Sequence, residues 1–496
     1  MQFVKEKSMR RLNIIKRLAS TQWGADKNTL RQLYIGYVRS TMEYNLALQS
    51  ISSDTTQGTL DKVESSAVHF ISGAMRSAPT AACHIHTNIQ PLGLRREAAV
   101  LEMTERYRRA EDDKPNAKIT NSWNENTRIK KRSILKVEKK LQEKHYLPQN
   151  REKEHYVDKD IPPNQNLKKP SICLDLKKKV SKQNSDIMDL QLTGLQTIQE
   201  YPDNWIHIYT DGSAMKGTVN AGFGAKIEYP DQTFDEISSP CGAFCSNFEA
   251  EALAMKTAIS KIPNNPNKLQ NIVLFTDSKS VLEALKHETY NLPVIRDLAF
   301  TIDQFIKRFD KDITLQWIPS HCNINGNERA DKLAKKGAME EQPQKPVSQL
   351  TCKQIIKSNS KIEWLNNWAM CNNGRQMFPY MTTPNIADPI NNLGRRDQTI
   401  IFRLRSQHIQ LNMHLNRINP MHEPNCTLCP HPYETVQHLL LECPKLSKLR
   451  KLYLPTSPNI GNTLYGQADQ LQNTAKFFIM ATRQRTEVQV QAGSRK

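Results

Sequence analysis

No stretch of this 496-residue chain stays apolar for the about 18 residues that a bilayer-crossing helix needs, so a membrane-spanning segment is excluded. The first twenty residues, MQFVKEKSMRRLNIIKRLAS, are basic and lack a continuous apolar core, which argues against a secretory signal. The ten cysteines form no paired framework along the chain. An intracellular, reducing compartment, nuclear or cytoplasmic, is therefore expected. Aromatic residues make up only 7% and hydrophobic residues 38%, so folded regions should alternate with long polar connections. No repeat of fixed period is present. Acidic residues are in deficit, 50 against 69 Lys and Arg, leaving a formal charge of +19. That excess points to a polyanionic partner, nucleic acid before an anionic membrane surface.

What is present falls into successive textures. Residues 1–105 read as helical, with apolar positions at helical spacing in LRQLYIGYVRSTMEYNLALQS and LDKVESSAVHFISGAM and with Gly73 placed to stop the second. Residues 106–200 are lysine-rich, as in RIKKRSILKVEKKLQEKH and LKKKVSKQ, with Pro162 and Pro163 between. They read as a basic, partly disordered linker that could also track phosphates. Within 203–341, WIHIYTDGS, AGFGAKIEY and TFDEISS predict three strands, and NFEAEALAMKTAISKI predicts a helix. NIVLFTDS and DITLQWIPSH then predict two more strands, and NERADKLAKKGA a last helix. The fold class is thus α/β, a five-stranded mixed sheet flanked by helices. A helical segment (345–420), a compact cysteine cluster (421–450) and a polar tail with no evident core (451–496) complete the chain.

Four acids in the α/β region occupy informative places. Asp211 ends the first strand and Asp277 the buried strand VLFTD, so parallel neighbours would bring both to one sheet edge. Glu251 lies one turn into a helix whose Leu253, Ala254 and Ala258 face the sheet. Asp331 sits in the first turn of the last helix, where the helix dipole suits it. Singly, each is explained as a turn former or a surface helix acid. Together they would repel strongly unless a cation holds them. Mg²⁺ does this with a few carboxylates while keeping positions open for water and phosphate, and two such ions roughly 3.5–4 Å apart clamp a phosphodiester displacement.

The order of YTDGSA, SNFEAEALA, LFTDSKSV and WIPSHCNINGNERADKLA resembles the type 1 ribonuclease H domain, and closely the version in Jockey-like non-LTR retrotransposons. The resemblance covers about 203–340 and implies an RNase H-like fold and cleavage of RNA in RNA–DNA hybrids. Carried over by position, it implies that Asp211, Glu251, Asp277 and Asp331 bind two Mg²⁺ ions, with Mn²⁺ as a substitute. His321, in a loop containing Gly326, would be a mobile group assisting proton transfer or product release. Gly212, Ser213, Ser246, Asn247, Ser278, Lys279 and Asn327 would touch the hybrid, including its 2′-hydroxyls. Lys279 stands where glutamine is common. Cys322 and Asn325 replace smaller apolar or proline residues, a change expected to loosen the His321 loop. The basic protrusion of some cellular enzymes is missing around KHETYNLPVIRD, so grip on the substrate would come from the basic flanks.

CTLCPHPYETVQHLLLEC places Cys426, Cys429, His438 and Cys443 at a spacing suited to a closed tetrahedral Zn²⁺ site; His431 is a competing ligand. This cluster is similar to the one ending many non-LTR element polyproteins. Residues 1–105 resemble, less strongly, the thumb and connection of such an element's reverse transcriptase. No apolar strand pair flanks an Asp-Asp turn, and Asp112-Asp113 stands among charged residues, so DNA synthesis is not expected. The alternative to a nuclease is a remnant or packaging protein that binds nucleic acid without cutting it.

Overall fold

The computed structural model describes residues 1–125, 132–153, 167–178, 186–262, 270–287 and 292–493. Pro162 and Pro163, and most of LKKKVSKQ, lie outside the described residues. The chain forms two compact units, and neither follows a single texture of the sequence. One combines residues 1–104, 124–145 and 357–496; the other combines 105–123 with 146–356.

The second unit is built on a six-stranded sheet, one strand more than the sequence predicts. Its strands are β1 (Ser171–Cys173), β2 (Ile206–Met215), β3 (Val219–Glu228), β4 (Phe234–Phe244), β5 (Ile272–Thr276) and β6 (Ile313–Trp317), in the order β1-β6-β5-β2-β3-β4. The extra strand comes from the expected linker and runs parallel to β6, Ile172 pairing with Leu315. Three residues flanked by lysines carry too little alternation to be read as a strand; their pairing is provided by the exposed edge of β6. The β2–β5 and β5–β6 pairs are parallel, whereas β2–β3 and β3–β4 are antiparallel.

Each face of this sheet has its own apolar layer, because side chains alternate along a strand. Ile206 and Ile208 of β2 join Ile272 and Leu274 of β5 and Met255 and Ala258 of the Asn247–Lys261 helix. Tyr209 lies on the opposite face with Val273, Phe275, Ile324 and Ala330, the last from the Asn325–Met339 helix. That helix lies unusually close to the sheet. A Cβ on Gly224 would stand 2.2 Å from the Ala330 carbonyl oxygen, so only a glycine there permits the approach.

The flanks also belong to this unit. Arg109, fully buried, donates to the carbonyls of Val347 and Glu152. Arg151 grips Glu105 with two bonds of 2.8 and 2.7 Å. Asp112 and Asp113 lie outside any strand, in a turn where Lys153 and Lys114 meet them.

In the first unit, the N-terminal helices share a core with Trp364, Trp368, Met377, Met381 and Phe402. The Asp54–Ser72 helix starts on a Ser53 cap and stops at Gly73, whose φ of 66° suits a residue without a side chain. The expected coreless tail is instead a long helix, Ala468–Gly493, with Leu471, Ala475, Phe477 and Ala481 buried. Its apolar residues recur at helical spacing, a signal hidden by the polar residues between them.

Gly224→Ala should lower the thermal unfolding midpoint of its unit, by roughly 1–3 kcal/mol of overpacking. Gly58→Ala, where a Cβ would meet nothing within 4 Å, should instead stabilise its helix by about 0.5–1 kcal/mol. Melting curves followed by circular dichroism would read both signs.

Candidate active site

The parallel pairing of β2 with β5 ends at Thr210 and Thr276. Asp211 and Asp277 are each the next residue, so the register itself brings the two acids side by side at the carboxyl end of the parallel strands. This is the edge where open α/β sheets place their ligands. Asp211 does not end its strand, however: β2 runs on to Met215, with Asp211 paired to Gly224 of β3. The acid thus sits on a backbone held by one neighbour, at the point where the other departs.

Glu251 arrives from the Asn247–Lys261 helix, one turn from its start. Gly212 makes that possible. A Cβ there would lie 2.5 Å from the Glu251 backbone nitrogen, so the helix can press on the strand only because the residue after Asp211 has no side chain. The Gly212 amide also favours the charged form of the Glu251 carboxylate. Carboxylate oxygens of Asp211, Glu251 and Asp277 come within 4.8 Å of one another. Asp331 joins from the Asn325–Met339 helix and interacts with Asp211. The helix begins earlier than the sequence suggests, at Asn325, so Asp331 lies in its second turn, away from the dipole. Its charge is met by Lys335, whose Nζ is 2.6 Å from Oδ2.

Burial, then the charges of Asp277 and Asp331, push the Asp211 carboxyl up to about 7. Burial, then Asp211 and Asp277, hold the Glu251 carboxyl well above its usual range. Glu251 Oε2 is buried with no hydrogen-bond donor. A carboxylate oxygen facing other carboxylates needs a proton or a cation, and a hard divalent ion fits this all-oxygen donor set.

Around the acids, Ser213 and Ser278 are half-buried and Asn247 and Lys279 exposed. The Lys279 ammonium lies 5.6 Å from the Trp317 ring centroid, and the Trp317 indole N–H donates to the Asp277 carbonyl at 3.2 Å. Asn327 is buried, with an unpartnered Oδ1, one turn before Asp331. His321 is exposed, on a loop where its own φ is 54° and that of Asn323 is 59°. Gly326 is not in that loop; it is part of the following helix and packs on the Tyr209 ring. Nor does Cys322 loosen the loop. It is buried and its thiol donates to the Pro319 carbonyl at 3.1 Å.

Ser246 differs from expectation. It is fully buried, and its hydroxyl accepts from the Glu249 amide and donates to Glu249 Oε2 at 2.8 Å in a capping box. Its own amide donates to Thr351 Oγ1 at 2.9 Å. The side chain fixes the start of the helix that carries Glu251 and presents nothing to a substrate. The S-x-x-E spacing of Ser246 and Glu249 was the signal for it. Lys335 and Trp317 were also not anticipated; the four-residue step from Asp331 to Lys335 was the readable hint.

In the first unit, Cys426, Cys429, His438 and Cys443 bring their ligand atoms within 4.8 Å of one another. Cys429 Sγ is 3.4 Å from His438 Nε2. Burial pushes the Cys426 thiol up to about 12 in the absence of a cation. His431 stacks on His438 and turns Nδ1 to the Tyr433 carbonyl at 2.9 Å. Glu434, fully buried, accepts from the Asn412 and Thr427 amides and from Arg485, tying the cluster's loop to the C-terminal helix.

Residues 203–339 match the family described as RNase H. Ribonuclease H of Alcanivorax borkumensis is 31% identical over 142 residues, which are 26% of this chain and 89% of that enzyme. Ribonuclease H of Stutzerimonas stutzeri is 27% identical over 150 residues, 28% of this chain and 94% of its own. The solved RNase H1 of the archaeon Halobacterium salinarum is 25% identical and covers 27% of this chain and 96% of its own, with a TM-score of 0.23. By its similarity to nearly the whole length of the Alcanivorax enzyme, the chain belongs to the ribonuclease H family and is a ribonuclease H.

Proposed function

We propose that this protein hydrolyses the RNA strand of RNA–DNA hybrids in a reaction dependent on two divalent ions, and that it derives from a non-LTR retrotransposon polyprotein. The convergence of Asp211, Glu251 and Asp277 to within 4.8 Å carries the reading. Asp211, Glu251 and Asp277 would hold one magnesium ion, and Asp211 with Asp331 a second; manganese would substitute. Bound there, the ions would supply Lewis-acid activation of water and charge neutralisation at the phosphate oxygens.

The chain's own residues do the rest. Gly212 lets the helix that carries Glu251 press onto the strand. Trp317 fixes the Asp277 carbonyl and gives Lys279 a ring to lie over, from which the ammonium can meet a backbone phosphate. Ser213, Asn247 and Ser278 would read the minor groove of the hybrid, where the 2′-hydroxyls distinguish RNA from DNA; Asn327, which is buried, is left out of substrate contact. His321, exposed on its loop, would pass a proton towards the leaving oxygen. Ser246 is left out of substrate contact because its hydroxyl caps the helix.

Support for the retrotransposon origin is the order of parts: a basic helical region, the ribonuclease H domain and a Cys/His cluster near the C-terminus. Three thiolates and one imidazole there would hold a structural Zn²⁺, all four positions being filled by protein.

A labelled hybrid incubated with the full chain and Mg²⁺ should be cut on the RNA strand, and Asp211→Asn should reduce the rate by roughly 10³-fold or more. A gel-shifted but intact hybrid would sink the enzyme reading and leave a nucleic-acid binder.

The raised Asp211 pKa sets a second expectation. A carboxyl with a folded pKa above its unfolded value makes the folded state the better proton binder, so stability falls as pH rises from about 4 through about 7. In EDTA at pH 8, Asp211→Asn should therefore be more stable than the wild type, by roughly 1–3 kcal/mol; at pH 5 the gap should narrow. Denaturant titrations at the two pH values check the sign.

For the Cys/His cluster, elemental analysis should find about one zinc per chain. Cys443→Ser should release it and lower the melting temperature of the first unit.

A further inference from the structure

We propose that the helix Ile187–Ile198 is the seat of the His321 loop, and that Gln191 on it is a positioning residue for the imidazole. The inference rests on the reading of His321 as the group that passes a proton.

This helix lies before residues 203–339, the stretch that matches the family, in a region whose sequence reads as linker. It is nonetheless fixed to the strand from which the His321 loop departs. β6 ends at Trp317, paired with Thr276, so the loop leaves the sheet at the edge where Asp277 stands. Gln316 of β6 accepts from the hydroxyl of Tyr201, just beyond the helix, at 2.7 Å, and donates to the Asp175 carbonyl at 3.1 Å. The Lys177 amide donates in turn to Thr197 Oγ1 at 3.1 Å. These bonds tie the end of the helix to β6, both directly and through the segment that follows β1.

One side of the helix is shaped to the loop. Leu190 shares an apolar cluster with Ile318, Cys322 and Ile324. A Cβ on Gly194 would stand 2.7 Å from Ile324 Cδ1 and 3.4 Å from Pro319 Cδ, so the loop lies against bare helix backbone. Gln191 Nε2 donates to the Asn323 carbonyl at 3.1 Å. Gly194 follows Leu190 and Gln191 at the spacings that put side chains on one helical face.

The loop needs such a seat. His321 and Asn323 both hold positive φ, 54° and 59°, a region that residues with side chains occupy sparsely. Backbone of that kind persists only where its surroundings over-determine it. Cys322 and Ile324 are buried, and His321 and Asn323 between and beside them are turned to solvent. Gln191 secures the carbonyl of the second left-handed residue, while Leu190 and Gly194 receive the buried pair. The direction in which the imidazole faces is thereby set from outside the family domain.

Steady-state cleavage of a labelled hybrid by the full chain in Mg²⁺ tests this on wild type, His321→Ala, Gln191→Glu, Gly194→Ala and their combinations. Gln191→Glu keeps the size of the side chain and removes the donor. It should lower kcat roughly 3–10-fold and leave KM near the wild-type value. Gly194→Ala should act likewise, and Ile324→Val, which removes the Cδ1 that the added methyl meets, should restore the rate. On the His321→Ala background neither helix substitution should cost anything further, because effects that act through one group do not add. Gln191 is half-buried, and melting curves will show that Gln191→Glu folds. An unchanged kcat in Gln191→Glu, or a fall that multiplies with that of His321→Ala, overturns the inference alone. Full kcat in His321→Ala, or no cleavage by the wild type, overturns the reading of His321 and the inference with it.

Discussion

Like charge held at close range is the constraint on which this structure turns. Three carboxylates whose oxygens lie within 4.8 Å of one another, two of them on buried residues, would spread apart on any pliable backbone. Here they cannot. Asp211 and Asp277 are fixed by the register of two parallel strands, and Glu251 by a helix pressed onto the strand at a glycine. The repulsion is therefore stored as raised proton affinity in place of movement. The same rigidity that makes the site costly without a cation would keep it preorganised with one.

The rigidity is drawn from well beyond the acids. Glu249 caps the Glu251 helix together with Ser246, and Thr351, fully buried, donates to the same Glu249 carboxylate. Thr351 lies outside the 203–339 stretch that matches the family. β1 and the Arg109 and Arg151 anchors are likewise outside it. The working unit is thus larger than the family match, and flanks that read as linker are parts of its wall.

Much of the site was legible because its chemistry is local. Asp211 and Asp277 declare themselves as acids at the ends of apolar strand segments, and Glu251 by its place on a patterned helix. The order of those segments gave the α/β class. What escaped was set by distant contacts. β1 is too short to show a period and exists because β6 offers it an edge. Ser246 looks like a surface hydroxyl until Glu249 and Thr351 are seen to enclose it. The C-terminal helix hides its apolar face among glutamines and arginines, and only packing on Leu404 and Leu440 makes that face a core. Cys322 reads as a loosened loop but is buried beneath it.

The two clusters on this chain solve opposite electrostatic problems with the same device. At the Cys/His cluster, the Arg485 guanidinium satisfies Glu434 with bonds of 2.9 and 2.6 Å, so that carboxylate is fully paired while it organises the loop. Removing either partner would leave a buried charge alone, which is costly. At the ribonuclease site the acids face one another, and Glu251 Oε2 is buried with no hydrogen-bond donor. An arginine there would satisfy them permanently and close the position to a metal ion. Lys335 at the rim is the looser counterion: its exposed ammonium on a flexible stem neutralises Asp331 without being locked in place. The difference between a buried guanidinium and an exposed ammonium is the difference between a scaffold and a site.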